Sequence, residues 1–223
     1  LFKQILMIAG FDKYFQNARC FRDEDLRADR QPEFTQIDVE MSFVDVDDVI
    51  AVGEGLIKHI YKAVTDEDIQ TPFMRMTYEN AMETYGTDKP DLRFDLPMVE
   101  LTDIFKEAGF GVFKKTVETG GVIKSIVLRN KTLSRKDLDT AVDVAKELGA
   151  GGLIWIRKEK GTLQSPIVKY LSDDEKMAMD KTLGLSDGDV QFIMADKRER
   201  ANENMGKLRL YLGKRFEWIR KNE

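Results

Sequence analysis

Cys20-Phe21-Arg22-Asp23-Glu24-Asp25-Leu26-Arg27-Ala28-Asp29-Arg30-Gln31-Pro32-Glu33-Phe34-Thr35-Gln36-Ile37-Asp38 is the stretch from which the fold follows. Residues 14–22 read as one strand and residues 34–44 as a better one. In the second strand Ile37, Val39, Met41 and Phe43 fall on one side. Gln36, Asp38, Glu40 and Ser42 fall on the other, the period of two expected of a sheet with one face in the core. Between them lies a dense charged loop closed by Pro32. Two strands around such a loop predict an antiparallel hairpin with an unusually long connection, and long ordered loops are often functional.

The polar side of residues 34–44 has two readings. One is an ordinary solvated sheet face. The other is the wall of a polar pocket, with Gln36, Asp38 and Glu40 aimed into it. The loop divides the same way. Spacing alone favours a solvated turn with local ion pairs, each worth little. The sharper reading puts Arg22 at the strand's end facing the pocket, where a guanidinium grips phosphate through two parallel hydrogen bonds and a lysine cannot. Glu24 beside it could orient an adenine amino group or assist Mg2+.

Taken as a string, residues 20–38 closely resemble motif 2 of the class II aminoacyl-tRNA synthetases, and more narrowly that of the bacterial aspartyl enzymes. Leu1-Phe2-Lys3-Gln4 and Phe11-Asp12-Lys13-Tyr14 match the same subfamily. The resemblance implies an α+β protein, part of the class II antiparallel-sheet catalytic fold. It implies activation of aspartate with ATP to aspartyl-adenylate, then transfer to the 3′-terminal adenosine of tRNA(Asp). Arg22 would be the catalytic residue, meeting the α-phosphate and the aspartate and neutralising charge as the carboxylate attacks. ATP would be bound by Arg22, Asp23, Glu24, Gln31 and Phe34, with Phe34 stacked on adenine. Aspartate would be bound by Lys3, Arg22, Gln36 and Asp38, with Asp38 orienting Lys3. Glu24, Arg27 and Arg30 would touch the tRNA acceptor end. Mg2+ would accompany ATP, no resident metal site is expected, and the full-length parent would be a homodimer.

Outward from the hairpin, Leu1, Ile5, Leu6 and Ile8 already follow a helical pattern that Gly10 stops, so the sequence is expected to begin inside an element. Asp47 or Asp48 is expected to cap a helix to about residue 64, and Thr77 a shorter one to Tyr85-Gly86. The turn chemistry of residues 86–91 places a domain boundary near residue 95. Beyond it the predicted order is a helix over 102–108, strands over 110–114 and 122–129, a helix from a capping box at Ser134 through Leu148, a strand over 153–157, a helix from Ser172 to Leu183, and a strand over 190–195. A last helix over 197–220 carries Met205, Leu208 and Leu212 and is expected to bend near Gly213. By the resemblance, residues 1–95 are catalytic, 96–195 form the GAD-type insertion domain of bacterial aspartyl enzymes, and 196–223 return to the catalytic fold. Motif 1, motif 3 and the anticodon-reading barrel of the family are not recognisable here, so an internal fragment, inactive alone, is expected.

The totals fit this frame. The 223 residues carry a net charge of −5 with 42% hydrophobic and 34% charged residues, a globular composition. A protein that holds nucleic acid through a broad basic face shows the opposite balance, so any RNA contact is expected to be local or to rely on a few placed arginines. Cys20 is the single cysteine and His59 the single histidine, which excludes an internal disulfide and a cysteine or histidine metal cluster. Cys20, His59, Trp155 and Trp218 read as packing or surface residues. Apolar runs fall short of the roughly 20 residues that span a bilayer, and a cytoplasmic, non-membrane protein is expected. The alternative to a ligase segment is a non-catalytic tRNA-binding or interaction module, since the GAD fold also occurs in an amidotransferase subunit that handles charged tRNA.

Overall fold

The computed structural model describes residues 1–25 and 30–219, which fall into two compact units, Leu1–Arg75 and Met76–Glu223. In the first unit, helix α1 (Phe2–Ile8) precedes strands β1 (Lys13–Phe21) and β2 (Glu33–Met41), and helix α2 (Val46–Thr65) comes after them. The strands pair antiparallel with Gln16 opposite Asp38, Ala18 opposite Gln36 and Cys20 opposite Phe34. Even-numbered residues of both strands therefore share one face. The Arg22 N–H donates to the Pro32 carbonyl at 2.8 Å, carrying the pairing one residue into the loop.

Strand β2 ends before residue 44 because Phe43 adopts φ 56°, and its ring is 99% exposed instead of continuing the apolar row. The expected cap at Asp47 or Asp48 is corrected to Asp45. Its carboxylate accepts from the N–H groups of Asp47 and Asp48, while the Asp48 carboxylate accepts from the Asp45 N–H. This reciprocal box satisfies amides that have no partner inside the helix.

The second unit is built on an antiparallel sheet of β3 (Val99–Glu100), β4 (Val122–Leu128), β5 (Ile154–Glu159), β6 (Thr162–Gln164) and β7 (Val190–Asp196), in the order β3-β4-β7-β5-β6. Register puts Ile126, Leu128, Phe192, Met194 and Trp155 on one face and Ile123, Ile193 and Ile156 on the other. The first face packs against α5 (Arg135–Glu147) and α7 (Arg198–Arg215) through Leu138, Ala141, Met205, Leu208 and Leu212. The second packs against α4 (Gly111–Glu118) and α6 (Asp173–Leu183) through Phe113, Met179 and Leu183. A sheet covered on both faces buries even the polar Lys124, Ser125 and Gln191 among the apolar residues of β4 and β7.

Helix α3 (Tyr78–Tyr85) has its cap at Thr77, as expected, and ends at Gly86 in the left-handed region. It crosses α7 with almost nothing between: a Cβ on Gly206 would stand 2.7 Å from the Tyr85 carbonyl oxygen, and one on Gly86 2.0 Å from that of Asn202. Ser134 and Ser172 start α5 and α6 with capping boxes.

Two expected elements are corrected. Residues 110–114 are not a strand; they open α4, which buries Phe113. Residues 102–108 form successive turns with i to i−3 bonds at Ile104, Phe105 and Ala108, not a helix. The Thr102 hydroxyl is engaged elsewhere, accepting from the Ile123 N–H at 3.0 Å and donating to Glu100 at 2.9 Å, so it caps nothing. Helix α7 continues through Gly213, whose missing side chain admits the Phe94 ring, and stops at Arg215. The unit division lies at Arg75/Met76, so residues 76–95 belong to the second unit. Among the described residues no helix is long and apolar enough to cross a membrane.

Candidate functional site

The site lies in the first unit, on the even-numbered face of the hairpin. At one end is Asp38, whose side chain is 18% exposed. Lys3, from α1, places its Nζ 2.9 Å from Asp38 Oδ1 and 2.8 Å from Oδ2. The same ammonium lies 3.2 Å from Glu40 Oε1. Gln16, directly opposite on β1, donates from Nε2 to Asp38 Oδ2 at 3.1 Å. The Lys3 hydrogen bond, then that of Gln16, holds the Asp38 carboxyl below the usual range. The hydrogen bond to Asp38, then that to Glu40, raises the Lys3 ammonium. At neutral pH this is one cation between two anions.

At the other end is Arg22. Its guanidinium carbon sits 4.9 Å over the Phe34 ring, a cation–π contact between side chains of one face. Arg22 Nη1 lies 3.7 Å from Glu24 Oε1, and Arg30 Nη1 lies 2.6 Å from Glu24 Oε2. Glu24 is thus shared by two arginines. Asp23 is exposed beside them. Between the ends, Gln36 accepts a long contact from Cys20 Sγ at 3.6 Å. Phe34 and Asp38 are four positions apart on β2, or roughly 13 Å by strand rise, with Gln36 midway.

The structure therefore brings the expected residues into two clusters, Lys3 with Asp38 and Arg22 with Glu24, Arg30 and Phe34, on one face with Gln36 between. Gln31 lines a shallow hollow of about 410 Å3 beside the second cluster, which it shares with Phe34, Arg19, Pro32, Glu33 and Thr35. Arg27 lies outside the described residues. Sequence reasoning does not point to Gln16, although once the hairpin register is fixed it must stand opposite Asp38. Nor does it point to Glu54 of α2, which accepts from the Phe73 N–H at 2.8 Å and pairs with Arg75 at 2.5 Å. Among the described residues no group of three His, Cys, Asp or Glu side chains could hold a metal ion.

The family described as tRNA synthetases class II (D, K and N) matches residues 1–205. The chain belongs to this family. Curated relatives align with this chain over nearly its whole length. The Aspartate--tRNA(Asp/Asn) ligase of Aquifex aeolicus (strain VF5) is 53% identical over 219 residues, covering 98% of this chain and 36% of the relative. The Aspartate--tRNA(Asp/Asn) ligase of Hydrogenobaculum sp. (strain Y04AAS1) is 52% identical, covering 98% and 37%. An Aspartate--tRNA ligase of Clostridium perfringens (strain 13 / Type A) is 48% identical, covering 99% and 37%. The chain thus spans a little over a third of the length of these relatives. In it, the β1–β2 hairpin is an antiparallel pair with Arg22 and Asp38 on the same face.

Proposed function

We propose that the full-length protein containing this chain is an aspartate–tRNA ligase. The observation that carries this reading is the two-cluster face of the hairpin, with a lysine braced on carboxylates at one end and an arginine over an aromatic ring at the other. The spacing between them suits an acyl-adenylate. Lys3 takes the side-chain carboxylate of aspartate, and Asp38 holds Lys3 and meets the substrate ammonium, with Gln36 beside it. Phe34 stacks on adenine, while Asp23, Glu24 and Gln31 bound the nucleotide. ATP enters with Mg2+ as part of the substrate. A carboxylate oxygen of aspartate attacks the α-phosphorus of ATP, the bond from that phosphorus to the bridging oxygen breaks, and pyrophosphate leaves. Arg22 neutralises the charge that builds on the α-phosphate, a preorganised electrostatic role.

A hydroxyl of the terminal adenosine of tRNA(Asp) then attacks the aspartyl carbonyl and AMP leaves. Glu24 and Arg30 contact that acceptor end, and Arg27, outside the described residues, is assigned to it by family likeness. Residues 96–195 act as a GAD-type insertion between parts of the catalytic fold, the parent is a homodimer, and it works in the cytoplasm. In the full-length protein, Arg22→Ala should lower aspartate-dependent ATP–pyrophosphate exchange by about a hundredfold or more, as loss of a transition-state donor does. Exchange at the unmutated rate in that variant removes Arg22 from the mechanism.

A further inference from the structure

We propose that Gln16 is a positioning residue that fixes the Asp38 carboxylate, and through it Lys3, for aspartate recognition; this rests on the reading above. Lys3 approaches both oxygens of Asp38. An ammonium on a flexible stem is a point charge that does not define the plane of the carboxylate it meets. A second acceptor, Glu40, lies 3.2 Å from the same Nζ. Left to these three groups alone, Lys3 has two anions to choose between and Asp38 is free to turn. Gln16 removes that freedom. Its backbone is locked in register opposite Asp38, and its amide donates to Oδ2 at 3.1 Å. Being neutral, it fixes the carboxylate without changing the balance of Lys3 against Asp38 and Glu40. A substrate that offers an ammonium to Asp38 and a carboxylate to Lys3 then meets both in one geometry, and one alternative to binding is eliminated.

The test uses steady-state ATP–pyrophosphate exchange in the full-length protein. Gln16→Met keeps the length and volume of the side chain and removes its donor. Loss of one hydrogen bond to a charged group should raise the KM for aspartate about tenfold. The KM for ATP and the melting temperature should stay unchanged, and kcat should stay within a factor of about two. Gln16→Glu, ionised, repels Asp38 and should raise the aspartate KM further. Lowering the pH should return that variant part of the way toward the unmutated protein, because the protonated acid donates again. Lys3 from α1, Tyr14 on β1 and Glu40 on β2 are the other titratable groups around this pair. An unchanged aspartate KM in Gln16→Met, or equal rises for aspartate and ATP, overturns the positioning role. Absence of aspartate-dependent exchange in the unmutated protein overturns the ligase reading itself.

Discussion

Phe192, at the middle of β7, is fully enclosed between the sheet and the helices over it, whereas Phe15, near the middle of β1, is 73% exposed. The contrast extends to the units that contain them. In Met76–Glu223 two apolar clusters fill the two faces of a five-stranded sheet. Among the described residues of Leu1–Arg75 no apolar side chain is buried, and the one buried residue is Glu54. Ladder hydrogen bonds, caps and the Lys3–Asp38 and Glu54–Arg75 pairs define the first unit; removal of apolar surface from water defines the second. Net hydrogen bonds and exposed ion pairs contribute little each, while every buried aromatic contributes several kcal/mol. The part of the chain proposed to carry chemistry is thus the part with the least packing of its own, and the well-packed part carries none of the proposed catalytic residues.

That comparison breaks most readily at the aromatic rings. Phe192→Ala should cost about 3–5 kcal/mol in chemical denaturation, whereas Phe15→Ala should shift the same transition by less than about 0.5 kcal/mol. Equal costs would abolish the distinction. The buried acid of the second unit gives a smaller effect. Asp189 is 3% exposed and accepts from the N–H groups of Asn130 and Ser186 and from Arg129. Burial pushes its carboxyl up, but the two backbone donors and Arg129 outweigh it and hold it below its ordinary value. A lowered value means stability that is complete above the unfolded value near 3.8 and is lost as pH falls through the folded one. Asp189→Asn should cost about 1–3 kcal/mol at pH 7, and the gap from the unmutated protein should narrow in acid below pH 3.8. The smallest effect on stability belongs to the half-covered Lys3–Asp38 pair of the first unit. Lys3→Met should move the melting temperature by less than about 2 °C while lowering the aspartate activation proposed for the full-length protein, a separation of stability from function that Asp189→Asn should not display.

Much of this is legible in the sequence where a period and a punctuation mark agree. Alternation over residues 34–41, with a charged loop before it, specifies the hairpin. Ser134 and Ser172, each with an acid three positions on, mark helix starts. Alternation does not say which side will be covered. Asp38 is 18% exposed while Ile37 on the opposite face is 47% exposed, because Lys3 and Gln16 cover the polar side and nothing described in the unit covers the other. Residues 110–114 mislead because Phe110, Val112 and Phe113 are aromatic and β-branched, which favours a strand locally. The burial of Phe113 against Phe105 and Phe110 decides for a helix. Arg209 escapes a reading by pattern although it sits with Met205, Leu208 and Leu212 at helical spacing on the apolar side of α7. It is fully buried, donating to the carbonyls of Asp91, Phe94 and Leu96 and lying between Tyr85 and Phe94. A charge on an apolar stripe signals such a hub, but only tertiary structure supplies the carbonyls. Family likeness singles out Lys3 and Asp38; Gln16 needs the register.

The bare contact between Gly86 and Gly206 has a consequence for how this protein can vary. The polypeptide departs from α3 and comes back along α7 at one threshold, where backbone touches backbone and even a methyl group has no room. A single carbon added at that threshold must prise the two helices apart, and with them the Arg209 side chain that ties α7 to the carbonyls of Asp91, Phe94 and Leu96.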